Sequence, residues 1–311
     1  MKTRHRNTTI VLMLCICAAT MYAGNRSGTV TAQFLKLPIN ARASGMGNAL
    51  VALADGASSI PFNPAGTLNI TNFGFSAVYN QWWADISHTF AGAAVNLDDI
   101  GTIGVGVMML ATDDMLVRTA AFPEGTGEKF RVVDMAYMVS YARQISQDFG
   151  IGLSAKYIKS NIYNDEISAK SIAFDIGTLY NVPILRTRLG ISVNNLGRDL
   201  TYLNETYSLP TVLRFGARTS IFEEENSKLF AAFQIGRPND SDEQYNLGVE
   251  YVAFSTLSIR GGYRFNYDAE DWSAGAGIDL ISIGLNGQID YAYTNYKTLP
   301  GTHMFTIEMG F

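Results

Sequence analysis

His303-Met304-Phe305-Thr306-Ile307-Glu308-Met309-Gly310-Phe311 closes the chain. Taken in steps of two, His303, Phe305, Ile307, Met309 and Phe311 share one face. Gly310, Glu308, Thr306 and Thr302 share the other, with Met304 as an apolar exception. A period of two is the mark of a strand, here with an apolar side and a polar side. The pattern recurs upstream, where Ile283, Leu285, Ile289, Tyr291 and Tyr293 interleave with Ser282, Gly284, Asn286, Gln288 and Asp290. Trp272, Ala274, Ala276, Ile278 and Leu280 interleave with Ser273, Gly275, Gly277 and Asp279 in the same way. A soluble sheet needs helices or a second sheet to cover so much apolar surface, yet no amphipathic helix stands out after residue 70. Lipid is the remaining cover, and a sheet can sit in lipid only if it is closed, because every backbone polar group must find its partner internally. The sequence therefore predicts an all-β fold, a closed antiparallel transmembrane β-barrel.

The N-terminus makes an outer membrane reachable. Lys2, Arg4 and Arg6 precede an apolar stretch from residue 10 to 19 and small residues near Ala23, the layout of a secretory signal peptide. About ten apolar residues are too few to span a bilayer, which needs roughly twenty. Residues 1–23 are read as the signal, with cleavage near Ala23. Cys15 and Cys17, the two cysteines of the chain, both lie inside it. Neither follows a small residue, which argues against a lipoprotein. The mature chain then has no thiol for a disulfide or a thiolate metal site. Without Lys2, Arg4 and Arg6 the 23 basic residues fall to 20 against 28 acidic ones, a formal charge of −8. An acidic chain with no basic stripe argues against a nucleic-acid partner.

Candidate strands cover 73–81, 87–97, 102–111, 132–143, 150–159, 169–181 and 188–195, then 211–222, 229–236, 245–254, 257–266, 271–280, 282–294 and 303–311. The tally is about fourteen, an even number as single-chain bacterial barrels have. Turns near Asp98, Ser146, Pro183, Glu224, Ser255 and Ile281 are short, whereas the connections 112–131, 161–168, 196–210, 237–244 and 295–302 are mostly longer. Strict alternation of short and long is the expectation for periplasmic turns and extracellular loops, and it places both mature termini in the periplasm. Aromatic residues near strand ends, Trp82, Trp83, Tyr251, Phe254, Phe265, Tyr267, Trp272, Tyr293 and Tyr296, suit an interfacial girdle. Inward positions carry Arg214, Arg218, Arg260 and Arg264 against Glu250, Asp279, Asp290 and Glu308. Such charges are costly beside lipid but can cross-link a lumen. The structural reading, a salt-bridge lattice, is favoured over an ion-selective path.

Residues 24–72 precede the first strand and residues 73–311 form the barrel region. The leading segment is too long for a linker and too rich in small residues for an ordinary amphipathic helix. A barrel of this size leaves a lumen that wall side chains do not fill, so the segment is expected to act as a plug, its glycines and alanines allowing close backbone contact. Asn63 is expected to cap, and Pro64 to start, a short helix. Gly45-Met46-Gly47 lacks the strand-to-helix unit of a nucleotide site.

The ordered set Ala41-Arg42-Ala43-Ser44-Gly45-Met46-Gly47, Asp55-Gly56 and Asn63-Pro64-Ala65-Gly66 strongly resembles the PorV/PorQ family of outer-membrane proteins, a branch of the FadL-like barrels. The resemblance extends over nearly the whole mature chain. It implies a fourteen-stranded barrel with its N-terminal segment in the lumen. It also implies a link to type IX secretion, in which PorV binds the C-terminal signal domains of exported proteins and carries them to the surface attachment machinery.

The leading functional expectation is thus a non-enzymatic outer-membrane barrel serving export or surface attachment. Its partners would be secreted proteins with a C-terminal sorting domain or attachment-complex proteins, besides the lipid and lipopolysaccharide around it. Leu116, Val117, Phe122, Tyr202, Leu203 and Tyr207 on the connections 115–129 and 199–208 offer outer contacts. The alternative is FadL-like transport of hydrophobic small molecules, for which Met108, Met109, Met115 and Phe122 could form a greasy surface. An enzyme is disfavoured: Ser87 and His88 are adjacent, so on one strand they point to opposite faces. The acidic run Asn239-Asp240-Ser241-Asp242-Glu243 lacks the spacing of an EF-hand, and no metal or cofactor is assigned.

Overall fold

The computed structural model describes residues 28–163 and 167–310. The signal-like stretch 1–23 and the bond near Ala23 lie outside the described residues, as do residues 24–27, the three residues 164–166 and Phe311. Fourteen strands form one closed barrel: β1 (Phe73–Gln81), β2 (Ser87–Asn96), β3 (Thr102–Ala111), β4 (Val133–Ser146), β5 (Phe149–Tyr163), β6 (Ile167–Val182), β7 (Thr187–Gly197), β8 (Val212–Glu223), β9 (Ser227–Pro238), β10 (Gln244–Ala253), β11 (Leu257–Phe265), β12 (Glu270–Asp279), β13 (Gly287–Tyr296) and β14 (Thr302–Gly310). Each pairs antiparallel with its neighbours in sequence. β1 closes the ring on β14 through a register running from Gly74 opposite Gly310 to Gln81 opposite His303.

Closure satisfies both edges of every strand, the condition for a sheet in lipid, and pins the parity of each face. Along β14 the residues from Thr302 to Ile307 alternate buried and exposed, with His303, Phe305 and Ile307 turned out and Thr302, Met304 and Thr306 turned in. β12 behaves likewise: Trp272 and Ile278 face out, and Ser273 and Gly277 are buried. The expected stretch 282–294 is shortened at its start. Ile281–Ile283 is a 3-10 turn ended by Gly284 at φ 83°, and the strand begins only at Gly287. Ile283 and Leu285 are therefore rim aliphatics, because a left-handed glycine breaks a strand whatever the polarity pattern around it.

The two rims differ less than strict alternation of loop length requires. The outer connections 82–86, 239–243, 266–269 and 297–301 are about as short as the inner turns 97–101 and 280–286; only 112–132 and 198–211 are long. The reason is that pairing continues further up the wall than the apolar pattern does: Asn161 still faces Ser168, and Tyr163 faces Ile167. The two long connections carry small hairpins of their own, Met115–Leu116 with Lys129–Phe130 and Leu200–Tyr202 with Glu205–Tyr207. Of the aromatic residues expected at the interfaces, Tyr251, Phe254, Phe265 and Trp272 face out. Tyr267 instead turns inward, its hydroxyl donating to Asn246 at 3.3 Å, and Tyr296 is buried beneath Trp83, with ring centroids 4.6 Å apart.

The expectation that both mature termini lie in the periplasm falls on residues outside the described ones. β14 ends on the short-turn rim, but Val30 bridges Ser208 in the long outer connection, with the Thr31 amide donating to the Ser208 carbonyl at 3.1 Å. From there the chain passes through a 3-10 turn, Gln33–Lys36, and the helix α1, Ala41–Gly45. It then continues through two further 3-10 turns, Ala57–Ser59 and Pro64–Asn69. It reaches the inner rim, where the Asn96 side chain donates to the Ile70 carbonyl through Nδ2, and enters β1. The sequence could not show this, since a direction of travel through a lumen leaves no periodicity.

Candidate functional site

Residues 32–67 contact inward-facing side chains on most of the barrel wall, and small residues on both sides set the distance. Gly45 lies so near the wall that a Cβ added to it would be 3.0 Å from the Gly275 Cα. A Cβ on Gly248 would fall 2.3 Å from the Met46 carbonyl oxygen, and one on Gly262 would fall 1.9 Å from the Gly47 nitrogen. Gly47, at φ 67°, is in a conformation that glycine adopts without steric cost. Further along, Val51 sits on Gly190 and Gly216, and Asn63, Pro64 and Ala65 sit on Gly177 and Gly152. Side chains cannot pass between backbones this close, so the wall at these levels is lined by glycine.

Hydrogen bonds fill the remaining polar needs. Asn40 accepts from the Ala43 amide and caps α1, while the Ala41 amide donates to Thr306. The Gly47 amide donates to Ser273 at 3.0 Å and its carbonyl accepts from Asn246 at 2.6 Å. Gln234 accepts from the Val51 amide and donates to the Asn48 carbonyl. Asn63 departs from its expected role: the turn Pro64–Asn69 is 3-10 with no side-chain cap, although Pro64 does begin it. The Asn63 amide instead donates to the Val51 carbonyl at 2.8 Å and to the Thr178 carbonyl at 3.3 Å. Asp55 remains partly exposed near the inner rim, beside Gly56, whose hydrogen faces the Glu308 carboxylate.

The charged positions divide into a centre and outliers. Glu250 receives Arg42 in a fork, at 2.9 and 2.6 Å, and Arg260 at 2.7 Å; Arg260 also holds Asp290 at 2.6 Å. Glu250, Arg260 and Asp290 are each at most 3 % exposed, so loss of one partner, which strands a buried charge, costs far more here than at a surface. Burial alone would lower the Arg42 pKa, but the Glu250 carboxylate outweighs it and the pKa is raised above its ordinary value. Arg264 donates to Ser44 and Thr294, Arg214 to Asn194, and Arg218 lies over the Phe230 ring at 3.8 Å. Asp279 takes no part: its carboxylate accepts the Ile281 amide at the inner turn.

A second anchor was missed in the sequence. Lys156 and Asp175 form a fully buried ion pair at 2.9 Å, and Lys156 also donates to the Pro61 carbonyl and the Asn195 side chain, at 2.9 and 2.7 Å. Both residues fall on the inward parity of their strands, so counting in twos through β5 and β6 would have found them. At the outer mouth Asp240 accepts two bonds from Lys36 and one from Gln33, while Glu243 pairs with Arg237.

The outer hairpins place Leu116, Phe122, Leu203 and Tyr207 in the open, with Phe122 60 % and Leu203 75 % exposed. Tyr202 is drawn back, partly buried on the apolar cluster of the lumen and bonded to Thr31 at 3.4 Å. Met108 and Met109 lie on opposite faces of β3, and Met115 and Phe122 are up on the hairpin, so these four do not meet. Of the described histidines, His88 is buried and inward, and His303 faces out, bonded to Tyr291.

A closed barrel of fourteen lipid-compatible strands is an outer-membrane protein. Within that class the chain belongs to the PorV family: the family model for the type IX secretion system protein PorV matches residues 21–237. Among solved structures it is similar to the CymD monoaromatic hydrocarbon channel, with TM-score 0.57 at 13% identity over 88% of this chain and 97% of that one. It is likewise similar to the Pseudomonas putida toluene transporter TodX, with TM-score 0.55 at 11% identity over 86% of this chain and 96% of that one. At such identities the likeness establishes the fold alone. No curated protein matches the sequence significantly. Family and fold resemble channels and transporters rather than enzymes.

Proposed function

We propose that this protein is a closed outer-membrane scaffold that assists type IX-like export or surface attachment, binding protein partners on its outer hairpins while the segment 28–72 acts as a plug. The observation that carries the reading is the contrast between the two surfaces. The lumen is spanned by hydrogen-bonded, glycine-seated backbone, whereas Leu116, Phe122, Leu203 and Tyr207 are left uncovered outside. Apolar groups kept in water suit a contact surface, and membership of the PorV family supports cargo of the type IX kind. The test is a mild-detergent purification from the native outer membrane with mass spectrometry of co-purified proteins and lipids. Enrichment of exported proteins that share a C-terminal domain is expected, with loss of that enrichment in Phe122→Asp and Leu203→Asp. Co-purification of an apolar small molecule without such proteins would reverse the conclusion.

One observation favours the second reading, transport of hydrophobic molecules. Phe90, Met108, Met138 and Met304 form an apolar inner wall in one buried cluster with Phe34, Leu35 and Ile39. Movement of that stretch would uncover adaptable methionine surface, and the similar structures are named as hydrocarbon channels.

A further inference from the structure

We propose that residues 28–36 are a strap that reaches the cell exterior, latched at the outer mouth to the two outer connections 198–211 and 239–243. Two independent sets of contacts carry this. On one side Val30 bridges Ser208 in parallel, the Thr31 amide donates to the Ser208 carbonyl at 3.1 Å, and the Thr31 hydroxyl meets the Tyr202 hydroxyl at 3.4 Å. On the other, Lys36 reaches both carboxylate oxygens of Asp240 at 2.8 and 2.7 Å, and Gln33 reaches one of them at 2.8 Å. Both connections belong to the rim of longer loops, which in bacterial barrels faces outward. Thr29 is exposed there, while Phe34 and Leu35 are 2 % and 5 % exposed below it.

The latch and the anchors lower down differ in kind. Below Asn40 the segment is seated on wall glycines and on Glu250, where little can move without breaking close backbone contact. Above it, the hold is the contact of Val30 and Thr31 with Tyr202 and Ser208, one rim carboxylate and the packing of Phe34 and Leu35. The strap therefore ties the hairpin Leu200–Tyr207, an exposed outer feature, to the filling of the lumen, so that a displacement of either is felt by the other. A segment that enters from outside can be enclosed without being threaded, because the ring closes at the β1–β14 seam and that pairing can form around it. The inference concerns topology and is independent of what the barrel carries.

The experiment is cysteine labelling of intact cells with a bulky maleimide that does not cross the outer membrane. The only cysteines, Cys15 and Cys17, lie in the signal-like stretch. Three variants are compared: Thr29→Cys, Leu203→Cys on the outer hairpin and Ile184→Cys in an inner turn, each checked for folding by heat-shifted gel mobility. Thr29→Cys is expected to label on intact cells as Leu203→Cys does, with Ile184→Cys labelling only after the outer membrane is opened. Labelling of Thr29→Cys only after opening, or only after denaturation, overturns the proposal. For the latch, Leu35→Cys is expected to label about three- to tenfold faster when Asp240→Asn is added, the range for loss of a partly exposed charge-assisted bond. It is expected to be unchanged by Asp242→Asn. Equal rates in the two double variants overturn the latch.

Discussion

Gly262 and Gly261 are neighbours whose opposite directions make a sharp residue-scale test. A Cβ on Gly262 would meet the Gly47 nitrogen at 1.9 Å, whereas one on Gly261 meets nothing within 4 Å. Gly262→Ala is expected to lower stability by about 1–3 kcal/mol, the cost of overpacking a filled interior, and Gly261→Ala to leave it unchanged; thermal unfolding in detergent reads both. Equal midpoints would mean that the lumen contact is loose in solution. Glu250 gives the electrostatic counterpart. Glu250→Gln leaves Arg42 and Arg260 without their shared carboxylate, and removing one partner from a buried network costs about 3–5 kcal/mol. Faster proteolysis within residues 28–72 of the folded barrel is the expected readout. Had the two arginines been independently solvated, cleavage would not change. The sequence offered Glu250 and Arg260 by parity, but Arg42 as their partner came only from folding, 208 positions away along the chain.

Among the elements, the strap over residues 28–36 is held in part by a titrating group outside the strands, Asp240. Burial pushes the Asp240 carboxylate up, but hydrogen bonds from Lys36 and Gln33 outweigh it and hold its pKa below the ordinary 3.8. A depressed carboxylate contributes stability in full above its ordinary value and loses it as pH falls through the lower folded value. The labelling rate of Leu35→Cys relative to that of the exposed Leu203→Cys at the same pH, a ratio that cancels the loss of thiolate on acidification, should therefore be flat from neutral pH down to about 4 and rise below it, and this acid rise should vanish in Asp240→Asn. A rise centred well above 4 in the parent would assign the hold to another group. The long strands β5 and β6 show why the loop between them is shorter than expected: their upper ends are paired but no longer alternate apolar with polar, so periodicity ends before the hydrogen bonding does. The 3-10 turn at Ile281–Ile283 is the converse case, alternating in sequence without being a strand.

For the whole molecule, the closed ring and the spanned lumen predict the behaviour in a planar bilayer. If the glycine-seated segment acts as the proposed plug, the intact protein is expected to show only small, rare conductance steps, because fourteen strands leave an open cross-section that it would fill. Lys156→Met together with Glu250→Gln, which removes both buried anchors, should raise step size and frequency. A large steady conductance in the intact chain would favour transport over the scaffold reading. What the sequence determined by itself is whatever depends on parity. It set the strand number, the lipid-facing rows ending in Phe305 and Ile307, and inward charges such as Glu250, Arg260 and Asp290, because a wall with lipid on one side must alternate. Only the tertiary structure decided which inward groups meet. Arg42 found Glu250, Lys156 found the Pro61 carbonyl, and Asn63 gave up its capping role for the Val51 and Thr178 carbonyls. The route of the segment from outer to inner rim was likewise settled there, since position inside a closed lumen is fixed by long-range backbone fit, which no local pattern of residues encodes.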